Sequence, residues 1–390
     1  MDKTGFLNRV EQTLQRDAYQ KYSERSARFF SSKNEYVLYG AGQLGKSTLE
    51  GLTKLGKKVL CFADTTASKW NTNFNGTIVL SPEKAVEKYC EKAVFIPTIC
   101  LAHVDYVFLK KQLTALGARN IRSFHELFYA FPKTFLPYYH FCAPEQLAEK
   151  KENIIEAASL FNDEMSMQHF LSYLVFSMAP HSSTLSPPNP NGYFDPLINN
   201  WLNTNTVFLD CGAFDGDTVE RFIKYSNNDF KKIIAFEPDV KNFSKLEKRI
   251  SDLSNAGGVQ RIFAVNKAVG QSSEFLKLAA TGSEGSLISE DGNVEVEVIC
   301  LDKFLPEIAT KDEQFYIKLD IEGFEKEAIK GSKNMLNNGR SSICACVYHL
   351  PEDFYEIPLL LKSINPDFRL YFRLEGEDTM GSVVYAVLGK

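Results

Sequence analysis

The sequence predicts an α/β protein: a doubly wound, mostly parallel sheet in the C-terminal half, a smaller α/β domain ahead of it, and a helical connector between them. Three observations lead there. From about residue 205 onward, short apolar runs alternate with stretches of helical periodicity, the rhythm of a parallel sheet wrapped by helices on both faces. Nearer the N-terminus, an apolar run starting at Tyr36 leads directly into a glycine-rich turn and a helix. Between the two regions fall Pro180, Pro187, Pro188, Pro190 and Pro196, and proline at that density continues neither a helix nor a central strand.

Composition bounds the reading. At about 150 residues per domain, 390 residues make two or three domains, each large enough for its own core. The 44 Lys and Arg against 49 Asp and Glu leave a net charge of -5, no field for a polyanion, so nucleic acid is not expected as a partner. Hydrophobic residues at 44% and charged residues at 24% describe a folding chain. The most apolar stretch, Phe170 to Ala179, is about half the ~20 residues that cross a bilayer, so no integral membrane segment is predicted. The opening MDKTGFLNRV has no apolar run behind a basic start, and the expected compartment is the cytoplasm. The eight cysteines lie mostly in strand-like runs and read as buried free thiols. Cys344 and Cys346 lack a second pair at zinc spacing, so no metal site is assigned to them.

In chain order, residues 1–33 read as one or two polar amphipathic helices. Residues 34–130 form the smaller domain: strand Tyr36 to Tyr39, the turn Gly40-Ala41-Gly42-Gln43-Leu44-Gly45, a helix with Leu44, Thr48, Leu52 and Leu55 on one face, strand Val59 to Ala63 ending on Asp64, and strands at Ile78 to Leu80 and Val94 to Ile96. Residues 131–204 hold the helical connector, with Ile154, Ala158 and Phe161 on one face, and the proline-rich linker. Residues 205–390 form the larger domain. Its strands are Val207 to Leu209, Ile233 to Phe236, Ile262 to Val265, Phe315 to Leu319 and Ile343 to Tyr348, with a β-rich insert at Phe275 to Leu278 and Val294 to Ile299. One helix runs through Ala328 and Met335, another carries Phe354, Ile357, Leu361 and Ile364, and Phe368 to Arg373 and Val383 to Leu388 close the chain as an antiparallel hairpin.

The densest chemical signal is FLDCGAFDGDT at 208–218. A strand that stops on Asp210 and turns through Gly212 and Gly216 into a helix brings backbone amides close to a ligand at the edge where open α/β sheets bind. The spacing is Asp-x-Gly-x-x-x-Gly rather than Gly-x-Gly-x-x-Gly. Asp210, Asp215 and Asp217 would repel a pyrophosphate and suit a ligand that carries an ammonium and a sulfonium, which favours S-adenosylmethionine over a dinucleotide. Glu237 ends the second strand in AFEPD, where a carboxylate accepts from both ribose hydroxyls. The candidate cofactor residues are Asp210, Gly212, Ala213, Phe214, Asp215, Gly216, Thr218, Glu237 and Pro238.

Two further segments carry ionisable groups. In KLDIEG, strand alternation puts Lys318, Asp320 and Glu322 on one face near the strand's carboxyl end; a purely structural Lys318–Asp320 ion pair is the alternative. His349, in YHLPED, stands where the chain leaves the next strand, and an ordinary imidazole pKa of about 6.5 suits a general base. A lone histidine that only satisfies hydrogen bonds is the competing reading. The candidate catalytic residues are His349, Asp320, Lys318 and Glu322, with His349 the first choice of base and Asp320 the second. Asp320 is also the group that would fix a substrate hydroxyl or a divalent cation.

With these segments assembled, residues from about 131 to 390 resemble the FkbM-type family of S-adenosylmethionine-dependent methyltransferases. The resemblance lies in FLDCGAFDGDT, IIAFEPDVKNFSKL, NKAVG, VICLDKFLP, FYIKLDIEGFEKEAIKGSKNML and CVYHLPEDFYEIPLLL. It implies a class I methyltransferase sheet of seven strands, cofactor contacts at Asp210, Gly212, Asp215 and Glu237, and methylation of a hydroxyl on a sugar or polyketide, in bacterial relatives often beside surface-glycan biosynthesis. The segment Gly282-Ser283-Glu284-Gly285-Ser286 resembles a family loop near the active site but carries Glu284 and a shifted glycine, so no role is transferred to it.

The N-terminal turn Gly40, Gly42, Gly45 with Asp64 meets a dinucleotide fingerprint in outline and resembles small Rossmann-like modules fused to sugar-modifying enzymes. It reads either as a nucleotide or nucleotide-sugar site or as a scaffold whose glycines permit close helix–strand packing. Three functions stand against one another: an O-methyltransferase acting on a small-molecule or glycan acceptor, a nicotinamide-dependent sugar oxidoreductase working through the N-terminal domain, and a non-catalytic glycan-biosynthesis accessory protein.

Overall fold

Every residue of Thr206–Cys211 is buried, which a strand achieves only at the centre of a sheet covered on both faces. The computed structural model describes the chain except residues 101–103, 105, 182–183, 258–260, 283–284, 306–309, 311, 377–378 and 390, and the side chains of 256–257. It divides into two compact units, the first Met1–Ile155, Gln168–Pro188 and Gly376–Gly381, the second Glu156–Met167, Asn189–Glu375 and Ser382–Lys390.

The first unit carries strands β1 (Glu35–Tyr39), β2 (Lys58–Ala63), β3 (Asn73–Phe74), β4 (Thr77–Leu80) and β5 (Val94–Pro97) in one sheet of order β3-β4-β2-β1-β5. All neighbours are parallel except β3 and β4. β3, two residues long, is too short for a periodicity reading to find. Alternation splits β1 between two cores: Tyr36 and Leu38 pack on one, Val37 and Tyr39 on the other.

The second unit carries β6 (Thr206–Cys211), β7 (Lys232–Phe236), β8 (Ile262–Val265), β9 (Ala268–Val269), β10 (Glu274–Ala279), β11 (Leu287–Ile288), β12 (Val294–Ile299), β13 (Gln314–Leu319), β14 (Ser341–Cys346), β15 (Phe368–Leu374) and β16 (Ser382–Leu388). Its main sheet has seven strands in the order β15-β16-β14-β13-β6-β7-β8, with β16 antiparallel to both neighbours and the rest parallel. The insert forms a separate sheet, β11-β10-β12-β9. Because β7 and β8 lie to one side of β6 and β13 and β14 to the other, the order reverses between β6 and β13. Loops leaving those two carboxyl ends open the crevice in which such sheets bind ligands.

Two elements differ from expectation. The helix through Ala328 and Met335 is two helices, Glu325–Lys330 and Lys333–Asn337. The break follows Gly331, where a Cβ would stand 2.0 Å from the Gly270 carbonyl oxygen; the close approach excludes any larger residue. The strand expected to reach Tyr348 ends at Cys346, so Tyr348 and His349 belong to the loop that leaves the sheet. Among the described residues, no helix is long and apolar enough to cross a membrane.

Candidate active site

The turn after β6 spends its own amides. Gly212 and Ala213 both donate to the Phe236 carbonyl, at 3.0 and 2.9 Å, and Gly216 donates to the Ala213 carbonyl at 2.7 Å. Phe214, left-handed at φ 49, donates to Glu237 Oε2 at 2.9 Å. The expectation that bare amides face a ligand here is therefore corrected at four positions: β7 takes those of Gly212 and Ala213, Glu237 that of Phe214, and the turn itself that of Gly216. The glycines have packing reasons as well. At Gly212, with φ 82, a Cβ would fall 1.8 Å from the Asp320 carbonyl oxygen, and at Gly216, with φ 87, one would meet Leu246 at 2.9 Å. The loops after β6 and β13 thus touch backbone to backbone, which only glycine permits.

Two of the three acids of this turn are also paired. Asp210 is fully buried, and Lys318 Nζ stands 3.0 Å from its Oδ1 while donating to the Gly212 carbonyl at 2.6 Å. Burial pushes Asp210 up to about 6, opposed by the Lys318 ammonium, so the carboxylate is ionised at neutral pH. Asp215 is clasped by Arg249, whose Nη2 lies 2.7 Å from Oδ2 and whose Nε donates to the Asp215 carbonyl at 2.8 Å. Asp217 is exposed in the first turn of the helix Asp217–Tyr225, Thr218 is buried beside it, and the acid there complements the helix dipole. Of the acidic trio, only Asp210 is buried at the strand end.

Glu237 takes Asp239 N–H on its other oxygen, at 2.9 Å, and its carbonyl and that of Pro238 accept from Asn266 Nδ2 at 2.8 and 3.2 Å. Burial pushes Glu237 up to about 7, with the two backbone bonds opposing. Asp239 in turn accepts from Gly282 N and Ser286 Oγ at 2.9 and 2.7 Å. Glu284 lies outside the described residues.

At the carboxyl end of β13, Lys318, Asp320 and Glu322 do converge with His349, but the turn brings them together rather than strand alternation: β13 stops at Leu319 and Glu322 is left-handed at φ 55. His349 Nδ1 lies 2.9 Å from Glu325 Oε1, and Nε2 lies 3.4 Å from Asp320 Oδ1 and 3.7 Å from Glu322 Oε1. Burial opposes the imidazolium, but the carboxylates of Glu325, Glu322 and Asp320 outweigh it and raise the pKa to about 10. An imidazole already protonated at neutral pH accepts no proton, so as it stands His349 is not the base its ordinary pKa suggests. Asp320 accepts from Tyr193 Oη at 2.8 Å and Tyr348 Oη at 3.0 Å. Burial alone would raise its pKa, yet Lys318 and His349 hold it below the usual carboxylate range.

Sequence reasoning missed Tyr193, Glu325, Tyr348 and Arg249. Tyr348 lies within YHLPED and Glu325 within KLDIEGFEKE, and Glu325 Oε1 accepts from Ile321 N at 2.8 Å across four residues, a spacing legible in the sequence. Tyr193 sits in the proline-rich linker, 127 residues from Asp320, with no local signal. Among the described residues, Asp320, Glu325 and His349 each offer one ligand atom within 4.8 Å of the others, close enough for a cation.

The first unit repeats the motif in miniature. Asp64 accepts from Ala41 N at 2.9 Å and Thr66 N at 2.8 Å, and Lys69 Nζ closes it at 3.0 Å. A Cβ on Gly40 or Gly45 would meet backbone oxygens at 2.9 and 2.2 Å, whereas at Gly42 it would meet nothing within 4 Å. Gly40 and Gly45 thus serve close packing.

Residues 210–370 match the family model described as the methyltransferase FkbM domain. A crystal structure described as methyltransferase FkbM from Methylobacillus flagellatus KT superposes with a TM-score of 0.72 over 98% of this chain and 98% of that chain, at 17% identity. An rRNA methylase from Streptococcus thermophilus aligns over 50% of this chain and 93% of its own, at 13% identity and a TM-score of 0.30. No curated protein matches the chain. The stretch that carries the end of β6 and all of β7, β13 and β14 thus matches the FkbM methyltransferase domain, and the chain shares the fold of the Methylobacillus protein.

Proposed function

We propose that the chain is an S-adenosylmethionine-dependent O-methyltransferase acting on a hydroxyl of a sugar, glycan or glycan precursor, with its site at the carboxyl ends of β6, β7 and β13. The observation that carries this reading is the chemistry of the β6 turn. With four of its amides spent, it has little to offer a phosphate, while Asp210 and Glu237 present two buried carboxyls whose charged forms burial disfavours. A cationic ligand favours both charged forms. Asp210 Oδ2, buried with no hydrogen-bond partner among the described residues, supports the same reading.

When bound, the cofactor supplies a sulfonium methyl for in-line transfer to an alcohol oxygen. Asp210, Gly212 and Glu237 would hold it, with Lys318 fixing Asp210 and the Gly212 carbonyl as a positioning residue. Asp320 would take the acceptor's proton. Its depressed pKa is no obstacle, because an alcohol oxygen that gains a methyl becomes far more acidic than a carboxylic acid before the proton leaves. His349, kept cationic by Glu325, would hold Asp320 ionised and in place.

Equilibrium dialysis of labelled S-adenosylmethionine against the full chain tests the cofactor, and transfer of labelled methyl to sugar acceptors tests the reaction. Saturable uptake followed by a mass gain of one CH2 per acceptor is the expected result. A folded preparation that takes up no cofactor ends the reading.

A further inference from the structure

The first unit contains a cavity of about 480 Å3 that none of its glycine-turn residues lines, within the roughly 300–1,000 Å3 of small-molecule sites. Its character is set by charge. Arg25 and Lys110 stand exposed at it, and Arg122, half-buried, lies over the Phe29 ring at 4.2 Å with Nη1 3.6 Å from Glu126 Oε2. Three basic side chains therefore face a single carboxylate, an excess of two positive charges. All three, with His181, draw down the pKa of Glu126 against the larger effect of its burial, so their charges act on the same small volume.

The lining includes one buried polar atom without a partner among the described residues. His125, 3% exposed, lines the cavity, and its Nε2 has no hydrogen-bond partner among the described residues. Its ring is wedged against Phe141 and Phe176, with centroids 4.6 and 5.2 Å away. Burial drives its pKa down to about 3, so it is a neutral imidazole offering one ring nitrogen to a ligand. An orphaned buried nitrogen costs stability until something bonds it. Phe29, Tyr106 and Phe176 add flat apolar wall.

We infer that this cavity binds an organic phosphate monoester, its phosphoryl group at Arg25, Lys110 and Arg122 and its ring-bearing body against the aromatic wall. A phosphate monoester carries about -1.5 to -2 at neutral pH and so cancels the excess of charge, whereas a carboxylate cancels half of it. Guanidinium forks suit phosphate oxygens bidentately. The volume exceeds what inorganic phosphate alone fills.

The test is calorimetric titration of the full chain with uridine monophosphate, glucose 1-phosphate, inorganic phosphate and glucuronate. At least one of the two organic phosphates should bind saturably, about tenfold more tightly than inorganic phosphate or glucuronate, and more weakly as salt rises; which of the two binds identifies the body as nucleoside or sugar. The double variant Arg25→Gln/Lys110→Gln, changed only at exposed positions, should weaken that binding about tenfold while leaving the thermal unfolding midpoint and S-adenosylmethionine uptake unaltered. Absence of binding by both organic phosphates, glucuronate binding as tightly, or undiminished binding by the double variant overturns the inference.

Discussion

The two units use one local design to opposite ends. In each, a strand turns through glycine into a helix, and the acid at the end of the next strand accepts a turn N–H: Asp64 from Ala41, Glu237 from Phe214, both at 2.9 Å. What differs is what else reaches the acid. Asp64 has an ammonium at 3.0 Å, and its bonds hold its pKa down despite burial. Glu237 is buried to the same degree, 6% exposed against 7%, but the charge of Lys318 is the least of the influences on it, and burial takes its pKa up to about 7. The first acid is finished by its own chain; the second still gains from a cationic or hydroxyl-bearing ligand. A strand–turn–helix motif therefore specifies the backbone, and charge pairing decides how far its acid is stabilised as a carboxylate.

The largest expected effect tests the second unit's half of this contrast. Lys318→Met leaves Asp210 buried without its partner and should cost about 3–5 kcal/mol of stability in urea unfolding; a loss no greater than that at an exposed pair would break the distinction. Glu237→Ala should weaken S-adenosylmethionine binding at least about tenfold, since hydrogen bonds to a charged acceptor are worth roughly 1.5–3 kcal/mol each, and Asp64→Ala should leave that affinity unchanged. Equal losses in calorimetry would mean the two acids are not distinguished as described.

His349 gives a pH signature. Its folded pKa of about 10 lies above its ordinary 6.5, so the stability it contributes is full below pH 6.5 and is lost as pH rises through 10. His349→Asn should flatten the fall in unfolding free energy between pH 7 and 10, and an unchanged slope would remove the carboxylate cage as its cause. A smaller effect concerns cofactor affinity. A ligand that favours the Glu237 carboxylate releases its proton, so affinity should rise a few-fold from pH 6 to 8 around the pKa of about 7, and Glu237→Gln should abolish the rise. The smallest belongs to the first unit: Lys69 is 42% exposed, and Lys69→Met should cost no more than about 1 kcal/mol.

Much of the proposed site is legible in the sequence because it is local. Asp210, Gly212 and Glu237 each stand at a strand end that hydrophobic periodicity marks, and the order of strands carries those ends to one rim. The role of His349 was not legible, since an isolated imidazole and one ringed by Glu325, Glu322 and Asp320 read identically along the chain. Neither was the neutralisation of Asp215 by Arg249, 34 residues on, nor the reach of Tyr193 to Asp320.

By itself, the sequence determined the alternation of strand and helix, the parallel sheet, the glycine turns and the acids that end the strands, because these follow from periodicity and backbone sterics within a few residues. Only the tertiary structure decided which acids are paired, which amides are spent and which proton stays on His349. Those are properties of burial and of distances between segments far apart in the chain, and electrostatic energies in a protein interior depend on both.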